Sequence, residues 1–214
     1  MKNNRNFLFY GIGSIAFGIK GNAFSWFLFF YYNMVIGLPA WMASLALAIA
    51  TIWDAISDLI IGYSSDHTKS RLGRRHPYMY AALIPVPIFF VLLWNPPTFD
   101  TDFNLFLYLL IMAVLVRTFT TLFEIPNQSL GPEITREYHE RTKMMSLRYF
   151  FGWMGGTVMT ILMYFVFLKP TVEYPNGQLN PEGYQIYGFV AAIIMFAAMI
   201  ISSKGLNHLI PNLA

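Results

Sequence analysis

Six charged side chains fall where the chain is otherwise almost wholly apolar: Lys20, Asp54, Asp58, Arg117, Glu124 and Arg148. Asp54 and Asp58 stand four residues apart, which places both carboxylates on one face of a helix. Two like charges at that spacing repel unless a cation, a proton or a basic side chain lies between them. Thr121 and Glu124 are three residues apart on a later apolar run, and Arg117 precedes Glu124 by seven on the same face. Hydroxyl and carboxylate oxygens are ligands for a hard cation, by the reasoning that gives oxygen-rich sites to Ca²⁺ and Mg²⁺. Spacing alone leaves three chemistries open: a bound cation such as Na⁺, a shared proton, or a salt bridge from Lys20.

The setting of these charges is a bilayer. The 214 residues are 56% hydrophobic and only 12% charged, about half the charge of a soluble domain, and the mean hydropathy is +0.49. A pI near 9.1 does not point to nucleic acid, because the basic residues sit in short loops and form no stripe or binding motif. The absence of cysteine excludes a disulfide framework, an iron–sulfur cluster and a thiolate zinc site. His67, His76, His139 and His208 show no metal-ligand spacing. No cofactor is expected beyond a bound cation, Na⁺ or H⁺. The apolar run after Lys2 and Arg5 is too long for a signal peptide and lacks a small-residue cleavage site, so it reads as a spanning helix.

A span needs about 20 mostly apolar residues. Six candidates satisfy this, at about 7–34, 40–64, 77–95, 103–126, 144–168 and 184–203. The separators are breakers: "IGLPA", the basic loop, "WNPPTFDTD", the polar stretch from Pro126 to Lys143, and "KPTVEYPNGQLNPEG". The expected fold is therefore an all-α integral membrane protein, a single six-helix bundle over 1–214. Lys2, Arg5, Lys69, Arg71, Arg74, Arg75, Arg136, Arg141, Lys143 and Lys204 fall at the termini and in the even-numbered loops, whereas Lys169 alone lies in an odd-numbered one. That bias places both termini in the cytoplasm. Each charge at the centre of a span costs about 2.5–3.5 kcal/mol. Three basic and three acidic residues could cancel in a purely structural network, but the paired spacings favour a site. "WFLFFYY" at 26–32 and the other aromatics read as lipid-facing and interfacial bulk, while Gly152, Gly155 and Gly156 form a small-residue face that lets another helix approach closely.

Three stretches carry a family resemblance. "IWDAISD…GYSSDHTKSRLGRRHP", "EIPNQSLGPEITREYHERTKMMSLRYFFGWMGG" and "FYYNMVIGL" resemble helices and loops of the glycoside–pentoside–hexuronide:cation symporters, the melibiose permease-like branch of the major facilitator superfamily. The resemblance implies that Asp54, Asp58, Thr121 and Glu124 hold the coupling cation. It further implies that Glu124 and Arg148 contact the solute. Gly18 and Gln128 stand where the pattern has a sugar-binding aspartate and a tryptophan, so galactoside recognition is not implied. Lys20 and Arg117 have no charged counterparts in the pattern. Together with Gln128 they are candidate solute ligands, and they hint at an anionic substrate such as a uronide.

In "GYSSDHTKSRLGRRHP", Gly62, Asp66, Arg71, Gly73, Arg74 and Arg75 match the superfamily's loop between its second and third helices, with His67 in place of an arginine. The resemblance implies a cytoplasmic gate that holds the outward-facing state. A plain basic anchor would need neither Asp66 nor the glycines. Because the superfamily builds its fold from two six-helix halves, the chain reads as the N-terminal half. Its missing partner would be a C-terminal six-helix half or a second copy. The expected function is cation-coupled symport of a sugar, uronide or related small solute in a bacterial cytoplasmic (inner) membrane. The alternatives are a non-transporting fragment or, with no catalytic signature to support it, a membrane-embedded enzyme.

Overall fold

The computed structural model describes residues 2–135 and 137–212, so Arg136 lies outside the described residues. The first stretch contains α1 (Lys2–Ile12), α2 (Ser14–Asn22) and α3 (Leu28–Phe30), with π turns at Ala23–Phe27 and Tyr31–Val35. There follow α4 (Ala40–His67), α5 (His76–Ala82), α6 (Pro85–Trp94), α7 (Asp102–Ile134), α8 (Tyr138–Leu162) and α9 (Pro181–Gly205), and a third π turn at Met163–Phe167 extends α8. No strand occurs among the described residues.

Among the described residues, five helical segments are long and apolar enough to cross a membrane: Ala40–His67, His76–Trp94, Asp102–Ile134, Tyr138–Phe167 and Pro181–Ile210. The first stretch, expected as one span over 7–34, is helical along its course but comes in shorter pieces. Gly11, Gly13, Gly18 and Gly21 weaken its helix locally, and each π turn widens it. The span expected at 77–95 is also divided, because Pro85 and Pro87 remove the donors that would carry α5 into α6.

The loop expected from Pro126 to Lys143 is not a loop. Helix α7 runs on through Pro126 and Pro132 to Ile134, and α8 begins at Tyr138. Proline leaves the carbonyl four residues earlier without its helical donor. For Pro132 that carbonyl belongs to Gln128, and the Tyr10 hydroxyl donates to it at 3.2 Å. Arg141 then donates to the carbonyls of Pro132 at 3.3 Å and Thr135 at 3.0 Å, closing the end of α7. Elsewhere the helix starts carry ordinary caps: the Thr101 hydroxyl accepts from the Asn104 amide, and the Asn180 side chain accepts from the Glu182 amide.

The helices pack chiefly in three pairs, α2 with α8, α4 with α7, and α6 with α9. In the first pair the approach is very close. A Cβ built on Gly18 would lie 1.8 Å from the Gly152 carbonyl oxygen, and one on Gly155 would lie 2.9 Å from Ile15. The small-residue face therefore packs as its sequence suggests. Contacts pair Gly11 with Leu147, Gly18 with Gly152, and Asn22 with Thr160, so α2 and α8 run in the same direction.

The aromatic run at 26–32 overturns its expectation. Phe27, Leu28, Tyr31 and Tyr32 are buried, and within the run Trp26 and Phe29 are the exposed large residues. The Tyr31 and Tyr32 hydroxyls donate to the carbonyls of Trp94 and Leu93 at the end of α6. Tyr31 also stacks on Tyr184 with centroids 4.6 Å apart. Those carbonyls lack helical donors, and tyrosine supplies both ring area and a hydroxyl to satisfy them.

Candidate cation and solute site

Helix α4 presents Asp54 and Asp58 to α7, and α7 answers with Thr121. The Thr121 hydroxyl lies 2.9 Å from Asp58 Oδ1 and 3.3 Å from Asp54 Oδ1, so it sits between the two carboxylates. Arg117, one turn earlier on α7, places a guanidinium nitrogen 2.5 Å from Asp54 Oδ2. Lys20 of α2 approaches the same oxygen at 3.7 Å. The Trp53 indole donates to the Thr118 hydroxyl at 2.8 Å and pins α4 to α7 beside the cluster. Burial makes these contacts matter: the Lys20 side chain is 7% exposed and that of Arg117 is 14% exposed. A partly buried charge without a partner would cost several kcal/mol, about 3–5 when one member of a buried pair is removed.

One turn further along α7, Glu124 belongs to a second cluster. Its carboxylate is 3.2 Å from Arg148 of α8, and Arg148 donates as well to the Gln128 side chain at 3.3 Å. These three residues line a cavity of about 320 Å³ together with Asn22, Tyr149 and Trp153. Arg148 thus faces a carboxylate and an amide that a hydroxylated solute could bridge.

The structure brings Asp54, Asp58 and Thr121 together, and separately Glu124, Gln128 and Arg148. Lys20 and Arg117 contact Asp54 and are not among the cavity's lining residues. Arg117 and Glu124 share a helix face, but their partners lie on different helices. Among the described residues, no three His, Cys, Asp or Glu side chains converge as a metal-holding group. The oxygens that could receive a cation are those of Asp54, Asp58 and Thr121, with Glu124 a turn away. Asn22, Tyr149 and Trp153 escaped the sequence reading. Tyr149 and Trp153 do carry a signal, since they stand four residues apart on one helix face just after Arg148.

The loop after α4 forms a third charged cluster. Arg75 pairs with Asp66, donates to the Ser65 hydroxyl at 2.9 Å, and meets Glu133 at 3.1 Å, while Arg74 reaches the same Glu133 oxygen at 3.2 Å. Gly73 has φ +76°, a conformation that favours glycine and turns the chain back to bring both arginines onto α7. Arg71 is exposed and takes no part. A methyl at Gly62 would meet Ile125 at an ordinary 3.7 Å, so no close approach requires that glycine. Glu133 was missed because it lies in the stretch expected as a loop.

Long apolar helices with paired charges in their interior, set beside a cavity that Glu124, Gln128 and Arg148 line, define a polytopic membrane protein. The family described as MFS/sugar transport protein matches residues 9–210, and the chain belongs to that family. It is 33% identical over 203 residues to an uncharacterized symporter of Synechocystis sp. (strain ATCC 27184 / PCC 6803 / Kazusa), covering 92% of this chain and 37% of the relative. It is 29% identical over 193 residues to an inner membrane symporter of Escherichia coli (strain K12), covering 90% and 40%. It is 27% identical over 192 residues to the isoprimeverose transporter of Lactiplantibacillus pentosus, covering 90% and 39%. The chain therefore spans about two fifths of the length of these curated relatives. All three carry transport names and none an enzyme's.

Proposed function

We propose that this chain carries the coupling-cation site and one wall of the solute site of a cation-coupled symporter. The coupling cation is Na⁺ or H⁺, and its ligands are Asp54, Asp58 and Thr121 with Glu124 alongside. The solute is a sugar or a related small hydroxylated molecule, held by Glu124, Gln128 and Arg148. The single observation that carries this reading is the shared helix. Thr121, which bonds both aspartates, and Glu124, which faces the cavity, lie three residues apart on α7. A cation that draws in Asp54, Asp58 and Thr121 shifts the helix turn on which Glu124 stands, so each ligand alters the other's affinity.

Within the solute range, the pairing of charges favours a neutral molecule over an acidic one. Lys20 and Arg117 face Asp54, and Arg148 is matched by Glu124. A uronide would have to compete for a guanidinium that already has a carboxylate. The working protein adds a second six-helix half or a second copy. It resides in a bacterial cytoplasmic membrane with both termini inside, where the Asp66–Arg75–Glu133 network acts as the gate.

The test is uptake into proteoliposomes by the full encoded protein. Asp54→Asn and Asp58→Asn keep the side-chain shape but remove the charge. They should abolish accumulation against a gradient while downhill exchange persists. Uphill accumulation surviving in both variants would make the pair structural. No solute uptake under any gradient would favour a non-transporting role.

A further inference from the structure

We propose that Arg117 is a tethered counter-ion that holds the place of the coupling cation on Asp54, so that metal-cation binding to Asp54 and pairing of Asp54 with Arg117 are mutually exclusive. This rests on the reading of Asp54 and Asp58 as a cation site, and it names how that site is regulated.

The geometry carries the argument. Asp54 Oδ2 receives both the Arg117 guanidinium at 2.5 Å and the Lys20 ammonium at 3.7 Å. Asp54 Oδ1 and Asp58 Oδ1 are left to the Thr121 hydroxyl. Lys20 and Arg117 against Asp54 and Asp58 give a cluster of zero formal charge. A third cation entering this partly buried cluster meets the two tethered cations as well as the two carboxylates. At short range in a poorly screened site those terms are comparable and cancel. Net attraction appears when one tethered cation withdraws and leaves the two carboxylates facing the newcomer.

Arg117 is built to withdraw. Its Cζ lies 4.7 Å from the centroid of the Phe24 ring, a face on which a guanidinium rests favourably. Its Nε is buried without a partner, so the side chain is committed to Asp54 at one end alone. Phe24 stands on the π turn Ala23–Phe27, one turn beyond Lys20. The Phe24 ring already supports the guanidinium beside Asp54, so Arg117 can yield the Asp54 oxygen to an arriving cation and keep this contact. This makes the cation site self-capping: a metal cation and Arg117 exchange on one oxygen, and Asp54 is paired at every stage.

Equilibrium binding of radiolabelled Na⁺ to the full encoded protein in detergent tests this, with choline chloride holding ionic strength constant. Arg117→Gln should bind Na⁺ about tenfold more tightly than the unaltered protein, since the competitor is gone. Arg117→Lys should fall between the two. In an Asp54→Asn background the gain from Arg117→Gln should disappear, which a merely structural arginine would not produce. Should Arg117→Gln fail to fold, Lys20→Gln is expected to tighten Na⁺ binding in the same direction. Unchanged affinity in Arg117→Gln, or in Lys20→Gln where that variant stands in, with affinity lowered by Asp58→Asn, would overturn the counter-ion while leaving the cation site standing. No Na⁺ binding in any variant would overturn the counter-ion proposal and leave H⁺ as the cation of the proposed site.

Discussion

The hydroxyl of Tyr10 reaches across from α1 to the backbone carbonyl of Gln128, the one carbonyl on α7 that Pro132 leaves without its helical donor. Inside a bilayer no water stands ready to take that place. The contact explains how α7 carries Pro132 near its end and still runs for 33 residues, long enough to bring Glu133 under the basic loop. Tyr10→Phe keeps the ring and removes the hydroxyl. It is expected to lower unfolding free energy by about 1 kcal/mol, seen as a lower thermal midpoint at unchanged helix content. An unchanged midpoint would show that the carbonyl is satisfied some other way.

Gly18 and Gly21 sit on one short helix and should respond in opposite ways to the same methyl group. At Gly18 a Cβ meets the Gly152 carbonyl oxygen at 1.8 Å, and both sides of that contact are backbone, so α2 and α8 must separate. At Gly21 nothing lies within 4 Å. Gly18→Ala is expected to abolish accumulation of folded protein. Gly21→Ala should be neutral or gain up to about 1 kcal/mol from helix propensity. Size-exclusion profiles of the two variants in detergent decide it, and a well-folded Gly18→Ala would refute the close approach.

Glu133 gathers Arg74 and Arg75 on one carboxylate oxygen. Glu133→Gln leaves Asp66 as the remaining acid of the Arg75 network, and Asp66 is half exposed. Ser65, buried beneath Arg75, gives a reporter position. A cysteine placed there should be labelled several-fold faster in the Glu133→Gln background. Equal labelling rates would mean that the Asp66–Arg75 pair holds the loop alone.

Cysteines at positions 100 and 176 should react with impermeant reagents applied from outside intact cells, and one at position 70 should not. The prediction follows from the Lys/Arg bias. The reverse pattern would invert the topology.

The sequence reveals faces better than it reveals neighbours. Asp54 and Asp58 meet α7 together because four-residue spacing puts them on one side, and that much is legible without coordinates. The partner of Arg117 is not. Its face could be read from its distance to Glu124, but a face does not say which neighbouring helix it meets, and Asp54 is 63 positions away. Pro132 looked like a terminator because its compensating donor, Tyr10, stands 118 positions from Gln128. The aromatic run at 26–32 misled for a related reason. Tyr31 and Tyr32 find carbonyls at the end of α6 that no local pattern announces. The Gly18–Gly152 packing was half legible, since the small face of α8 is plain in the sequence and its partner is not.

The π turn at Ala23–Phe27 has a rotational meaning. Such a turn takes in one residue more than regular helix would, so the two sides of the bulge are offset by about 100° around the axis. On the near side Lys20 faces Asp54; on the far side Phe27, Leu28 and Tyr31 face inward. Deleting a single residue within 23–27 would restore regular helix and turn one side against the other. Either Lys20 would swing away from Asp54, or the tyrosines would lose the carbonyls of Leu93 and Trp94. The bulge works as a phase corrector between a charged inner segment and an aromatic outer one. A one-residue deletion there should therefore be far more damaging than the loss of any side chain it removes.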